Sequence, residues 1–427
     1  MSTISVTQWR IYCNTEGISV LNWSVNQPTT CINNTAHSVN LNSVQPVQII
    51  DTTITNFYQD PLESARVVQQ IPIIDLKSFY GITSDNIVST TGTGIASAIS
   101  ETDAEIKLSI SGTTDSCNIR SAERGYYIAG LVSECGMAIR IPSALDTSHI
   151  LKFGYFDNSN GYYFKLVGSV FNVGIMNNGT ETLISRSNFN RNKLDGSDAS
   201  GITLDLSKGN IFRISFTWYG FGQVIFGIIQ TSNTNNQSFI PLHIFTTSGQ
   251  TSCGNPNLPI NTELSANGSS TSKNVYLAGR QYSILGKITN NTQSAMYFIN
   301  DAASTSTSIN PLFSLKKKST FITTPVYLKY IRTISSVNAK ILIIKNAILT
   351  GASFQDNSKV NESSISVDTA ATISGGTICK TYLVFSGQLA NIEMNFHIYE
   401  TDTITIAWQT FSNSGNLSLH LDWSERL

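Results

Sequence analysis

Few residues in this sequence are of a type that does chemistry, and they are scattered. Near the N-terminus, Cys13, Cys31 and His37 are zinc-binding types, with Glu16 as a weak fourth ligand. Structural zinc usually draws on closely spaced pairs. Here the cysteines are 18 positions apart, and none of the six cysteines forms a Cys-x-x-Cys pair. Buried thiols or a disulfide are therefore expected in preference to a metal, and no cofactor is expected. Asp195, Asp198 and Asp205 form the best candidate cation site. A hard cation takes about six oxygens or more, so a polar loop is the plainer reading of three. Asp157, Asn158 and Asn160 have the same double meaning: a hairpin tip needs such residues, and so does a sugar or a calcium ion. Tyr162, Tyr163 and Tyr219 lie beside polar turns and are the candidates for stacking on a glycan. Glu123 and Glu134 could formally act as a pair of hydrolytic carboxylates, but nothing in their spacing places them across a cleft. The histidines at 37, 149, 243, 397 and 420 are dispersed. No Gly-x-Ser-x-Gly elbow or phosphate loop is present, and no enzyme is expected. The basic run Lys316–Lys318 reads as a solvated strand edge or as a contact with an acidic neighbour.

The elements that must carry these residues follow a period of two. Phe212, Ile214, Phe216 and Trp218 alternate with Arg213, Ser215 and Thr217. Ile106–Ile110, Ile404–Trp408 and Leu417–Trp423 do the same, with His420 on the outward side. Alternation of this kind marks half-buried antiparallel strands. Asn160-Gly161 and Asn178-Gly179 separate such runs and predict tight hairpins. Helical periodicity is nearly absent, with one short helix predicted over Asp60 to Gln70. The fold class is all-β, built of antiparallel β-sandwiches. Composition divides the chain into a small N-terminal attachment module (1–52), an extended arm with a short helix and strands (53–120), a central sandwich (121–262) and a C-terminal β-rich region (263–427). Asn261 to Ser272 reads as a loop or linker.

Composition excludes several functions. The 427 residues carry a net charge of -1, and only 13% are charged. Neutralising nucleic-acid phosphates needs a basic surplus, so no nucleic-acid partner is expected. No apolar run approaches the ~20 residues of a membrane helix, and no leader segment is visible. A hydrophobic fraction of 41% is too high for a disordered chain. Asn (39) and Ser (55) supply much of the polar surface, and triplets such as those at Asn33, Asn178 and Asn267 are expected by chance in such a chain.

From Glu123 onward the segments ERGYYIAG, GMAIRIP (136–142), LKFGYFDNSNGYYF (151–164), LDGSDASGITLD (194–205), IFRISFTWYGFGQVIFGI (211–228) and NPNLP (255–259) follow one another. In this order they resemble virion structural proteins of tailed phages, especially marine ones, and of large DNA viruses. RIYCNTEGISVLNWSVNQPTTCINNTAHSVN (10–40) resembles a short module that recurs in virion proteins of the same viruses. PLFSLKKKS, LTGASF and SGGT fit what usually follows. The resemblance implies a concanavalin-like or jelly-roll sandwich and a capsid-surface, tail or fibre component located in the virion. It implies other virion proteins as partners and transfers no catalytic residues. A homo-oligomer is expected, with a trimer as the guess for a projecting element. The alternative function is a carbohydrate-binding module that attaches to a host surface glycan.

Overall fold

A computed structural model describes residues 6–24, 26, 28–50, 69–98, 104–198, 201–218, 220–231, 237–247, 249, 251–286, 293–304, 307–356, 363–369, 372–412 and 414–426. The chain forms two compact units, Met1–Gln59 with Glu63–Arg66, and Asp60–Leu62 with Val67–Leu427. The first is a three-stranded antiparallel sheet of β1 (Val6–Cys13), β2 (Ile18–Ser24) and β3 (Val39–Ile50), in the order β2-β1-β3. No helix among the described residues is long and apolar enough to cross a membrane.

The second unit opens with a two-layer sandwich. Its strands are β4 (Gln70–Leu76), β5 (Asn86–Thr91), β6 (Ile95–Ala98), β7 (Ile106–Ile110), β8 (Ser116–Ser121), β9 (Val132–Arg140), β10 (Ile150–Phe156), β11 (Gly161–Val167), β12 (Val170–Asn177), β13 (Thr180–Ser185), β14 (Asn210–Phe216), β15 (Val224–Thr231), β16 (Gln237–Phe245), β17 (Ile260–Ser265) and β18 (Lys273–Leu285). One sheet runs β13-β12-β11-β10-β17-β8-β5. The other runs β16-β15-β14-β9-β18-β7-β6, with β4 also on β18. All pairings are antiparallel.

The inward positions follow the alternation. Phe212, Ile214 and Phe216 are fully buried, as are Ile106, Leu108 and Ile110. Phe164 is the hub of an aromatic cluster, with ring centroids 5.4 Å from Phe153, 5.8 Å from Phe171, 4.9 Å from Phe212 and 5.6 Å from Phe226. Each such ring contributes about 2 kcal/mol by burial, and the edge-to-face pairs add to it. Asn178 (φ +48°) and Gly179 (φ +83°) take the left-handed conformations that a two-residue hairpin loop requires. Asp115 fastens two further turns: it accepts the N–H groups of Thr93, Ser111 and Gly112 at 2.7–2.8 Å and the Thr93 hydroxyl at 2.6 Å. The Thr93 hydroxyl and these N–H groups hold its carboxyl well below the usual range.

A second sandwich follows. It contains β19 (Gln293–Ser304), β20 (Asn310–Lys317), β21 (Val326–Ser335), β22 (Ala339–Lys345), β23 (Ile348–Thr350), β24 (Gln355–Asp356), β25 (Ile365–Asp368), β26 (Thr372–Ser374), β27 (Thr377–Val384), β28 (Ala390–Ile398), β29 (Thr403–Thr410) and β30 (Gly415–Glu425). Its sheets run β19-β30-β21-β28 and β24-β25-β20-β29-β22-β27, with a separate β23-β26 pair. Trp408 and Trp423 fill the core between them.

The all-β antiparallel sandwich class is what the structure shows. The domain boundaries differ from expectation. The strands expected in an extended arm over 53–120 complete both sheets of the first sandwich. The supposed linker from Asn261 contributes β17, a central strand, because Ile260, Thr262 and Leu264 point inward and are buried. The second sandwich therefore begins with β19, not at 263. The predicted helix falls mostly on residues 60–68, outside the described residues, and Gln70 begins β4.

Candidate functional site

The outward face of the seven-stranded sheet is read from its register. Lys152 stands opposite Lys165 on one side and Glu263 on the other. Glu263 stands opposite Asn118, and Asn118 opposite Ser89. In the next row Asn261 lies between Gly154 and Arg120. Two lysines placed directly opposite would repel, and each is compensated. Lys165 Nζ reaches both Glu181 oxygens at 2.9 and 2.7 Å. Lys152 Nζ lies 4.1 and 4.0 Å from the centroids of Phe156 and Tyr163. Burial depresses the Lys152 ammonium, and Glu263 and Glu181 offset part of that shift.

Beside these rows a groove of about 550 Å³ runs over β5, β8 and β17 to the turn 157–159 and to Glu400. Asn118, Asn261 and Glu263 form its floor. The Asn118 amide donates to Asn261 Oδ1 at 2.6 Å and to Glu263 Oε1 at 3.3 Å, and the Asn261 amide donates to the same Glu263 oxygen at 3.3 Å. One end is a charged wall. Arg124 donates to Glu400 at 2.8 Å, to Asp157 at 2.9 Å and to the Asn257 carbonyl at 2.9 Å, and Arg120 meets Glu400 at 2.6 Å. Burial alone would lower the Arg124 pKa, but Glu400 and Asp157 outweigh it and raise it. Burial alone would raise Glu400, and the two guanidinium groups hold it below the usual range. Backbone geometry fixes these groups: Asp157 also accepts the N–H groups of Ser159 and Asn160, both at 2.9 Å. The groove thus presents amide, hydroxyl, carboxylate and guanidinium groups on a rigid sheet. Such a set exchanges hydrogen bonds with a polyol.

Behind Glu400 the two sandwiches meet through titratable side chains. Tyr327 donates to Glu123 at 2.6 Å, and Tyr399 donates to Asp85 at 3.4 Å. His397 stacks on Tyr327, with centroids 4.6 Å apart and planes 19° apart. Lys317 is buried here, and its ammonium is pushed down to about 8 by burial. The run Lys316–Lys318 therefore splits by strand parity: Lys316 lies over Phe354, Lys318 pairs with Asp356 at 3.2 Å, and only Lys317 turns inward.

Several expected site residues are placed elsewhere. Tyr162 is fully buried in the core, its hydroxyl 2.7 Å from that of Ser252. Tyr163 faces outward yet is also fully buried. It lies flat along Gly174, where a Cβ would stand 2.2 Å from its ring, and its hydroxyl donates to Glu181 at 2.6 Å. Neither offers a surface to a glycan, and Tyr219 lies outside the described residues. Asp195, Asp198 and Asp205 do not share a ligand position. Asp195 and Asp205 each accept the N–H and hydroxyl of the serine two residues on, and Asp198 accepts the Lys193 N–H. Loop chemistry uses them. Glu134 pairs with Arg213 of β14, whereas Glu123 takes Tyr327, so the two acids belong to separate elements with separate partners. Of the hairpin-tip candidates, Asp157 and Asn158 line the groove. Asn160 instead braces the backbone N–H groups of Asn178 and Gly254. Cys13, Glu16, Cys31 and His37 are brought together, every ligand atom within 4.8 Å of the others. Asn118, Arg120, Asn261, Glu263 and Glu400 were not singled out from sequence. The available signal was the outward parity of Asn118 and Arg120 around Ile119, and of Asn261 and Glu263 around Thr262.

No family model matches this chain, and no curated protein does. Solved structures resemble part of it. A protein of unknown function from Shewanella oneidensis MR-1 is 12% identical over 54% of this chain and 94% of its own, with a TM-score of 0.34. The Emp47p carbohydrate recognition domain is 11% identical over 51% of this chain and 95% of its own, with a TM-score of 0.31. A beta-1,3-glucanase from Mycobacterium marinum is 11% identical over 49% and 98%, with a TM-score of 0.33. By its own architecture the chain is a two-sandwich antiparallel β protein with a polar groove on the outer face of one sheet.

Proposed function

We propose that this protein binds a neutral oligosaccharide or polysaccharide in the groove over β5, β8 and β17, without cleaving it. The observation that carries this reading is the coupled floor of Asn118, Asn261 and Glu263 beside the Arg120–Glu400–Arg124 wall. These groups match sugar hydroxyls, which both donate and accept. The low net charge favours a neutral ligand over a polyanion. A glycan array followed by calorimetry tests the proposal. Glu263→Gln and Asn118→Ala should each weaken binding about 10- to 100-fold, the scale of one hydrogen bond that involves a charged group. Absence of binding at millimolar glycan, or affinity unchanged in both variants, would count against the groove. Release of reducing ends from the bound glycan would count against the non-cleaving part.

A second reading is particle assembly, as a virion structural component. Its support is the resemblance of the sequence and the exposed apolar groups of the second sandwich. Met296, Ile299, Ile334 and Leu389 line a shallow depression there, and the edge strand β27 exposes Ile378 and Leu383. An uncovered edge with apolar side chains favours pairing with another chain. The expected outcome is a homo-oligomer by light scattering that Leu383→Lys with Leu389→Lys dissociates. A native chain that stays monomeric at high concentration sinks this reading.

A further inference from the structure

We propose that the N-terminal unit is a zinc-binding module in which Cys13, Cys31, His37 and Glu16 enclose one Zn²⁺. Three chain segments converge to make the site. Cys13 is the last residue of β1. Glu16 sits in the turn to β2, closed by the Gly17 N–H donating to the Cys13 carbonyl at 2.8 Å, with Gly17 at φ +68°. Cys31 comes from the connection to β3. His37 is placed just before β3 by a turn in which its N–H donates to the Asn34 carbonyl at 3.0 Å. The four ligand atoms lie within 4.8 Å of one another. His37 Nδ1 is 3.7 Å from Cys13 Sγ and 3.0 Å from Glu16 Oε1. Tetrahedral zinc, with bonds of about 2.0–2.3 Å, requires ligand atoms roughly 3.3–3.8 Å apart. The quartet therefore needs shifts of only about an ångström or less to close on an ion.

Two further observations support a metal. Glu16 is oriented as a ligand: Asn33 Nδ2 donates to Oε2 at 2.7 Å, which leaves Oε1 turned toward His37. Fixing a ligand through its outer atom is characteristic of metal sites. Among the described side chains the buried cluster of this unit is Ile11, Cys13, Val20 and Cys31, so half of it consists of proposed ligands. A module of this size normally needs a metal or a disulfide to fold stably. Two thiolates with an imidazole and a carboxylate suit zinc better than a hard cation, and four protein ligands leave no open position, so the role is structural. Binding releases the two thiol protons to solvent. Spacing alone favoured thiols or a disulfide here. The register of β1 and β3 pairs Cys13 with Val39 and so brings His37 to Cys13, and the β2–β3 connection places Cys31 against both.

Metal analysis of the full chain after desalting tests the proposal. About one zinc per chain is expected, falling at least tenfold in Cys31→Ser and His37→Ala. Cobalt(II) titration should give the charge-transfer absorption of a two-thiolate site. Glu16→Gln, which keeps the Asn33 contact and should fold, is expected to retain the absorption with weakened affinity. Adding a chelator should make two more thiols reactive toward a thiol reagent, Cys13 and Cys31, while Cys117, Cys135 and Cys253 stay shielded in the sandwich core. Three results would overturn the proposal: a chain that binds neither ion stoichiometrically, a chain two hydrogens light with Cys13 linked to Cys31, or unchanged zinc content in the variants.

Discussion

His397→Phe is expected to resist acid better than the native protein. His397 packs between Tyr327 and Tyr399, and among the described residues neither of its ring nitrogens has a hydrogen bond. Burial pushes its pKa down to about 3, and the Lys317 and Lys345 ammonium groups add to the shift. A histidine free in the unfolded chain titrates near 6.5. Between these values the unfolded state takes up a proton that the folded state refuses. The stability owed to this difference is complete above pH 6.5 and is lost as pH falls toward 3. By pH 4.5 the loss is about 2–3 kcal/mol. Phenylalanine keeps the stack on Tyr327 and removes the titration. Glu123, whose carboxyl lies 3.6 Å away and is raised by burial, works in the opposite sense, but it is present in both proteins. Urea unfolding at pH 7.5, 6.0 and 4.5 checks this. The two proteins should be within about 1 kcal/mol at pH 7.5, and the variant should be the more stable at pH 4.5. Parallel pH slopes would refute the buried neutral imidazole.

Local physics made much of the fold legible. Each inward position of Phe212–Phe216 or Ile404–Trp408 follows from a two-residue period, because successive side chains of a strand point to opposite faces of its sheet. The Asn-Gly hairpins follow from backbone sterics. Sheet neighbours are less accessible, because they depend on pairings far apart in sequence. β17 lies between β10 and β8, and the polar residues on its outward face disguised it as a linker. The groove was hidden for the same reason: Asn118 and Asn261 meet across 143 positions. Tyr163 shows a different failure. It was singled out for lying beside a polar turn, and it does lie on the outward parity of β11, but Gly174 lets its ring lie flat and Lys152 covers it, so facing outward does not mean being exposed. The quartet at Cys13 was visible as residue types, but only the sheet register brings those types within reach of one ion.

Glu400→Ala should loosen the second sandwich from the first and remove one wall of the groove. The carboxylate is only 11% exposed and binds Arg120 and Arg124 together, so its loss removes the anion that both poorly solvated guanidinium groups share and leaves Arg124 with Asp157 and the Asn257 carbonyl. Breaking such a pair from one side costs about 2–4 kcal/mol, because the surviving charge keeps its desolvation penalty without its partner. The remaining links across this junction are side-chain contacts such as Tyr327–Glu123, Tyr399–Asp85 and Asn255–Thr323. Calorimetry should therefore show a coupled transition in the native protein, and in the variant an earlier one for the second sandwich. Glu400→Gln keeps the shape and one acceptor, so its effect should be intermediate. High salt should lower the native transition toward that of the variant, since screening weakens the same contacts. Glycan affinity should fall in parallel with the loosening if Glu400 acts by holding Arg120 and Arg124 in place. A Glu400→Ala protein that melts like the native one and binds glycan equally well would show that the wall is decorative.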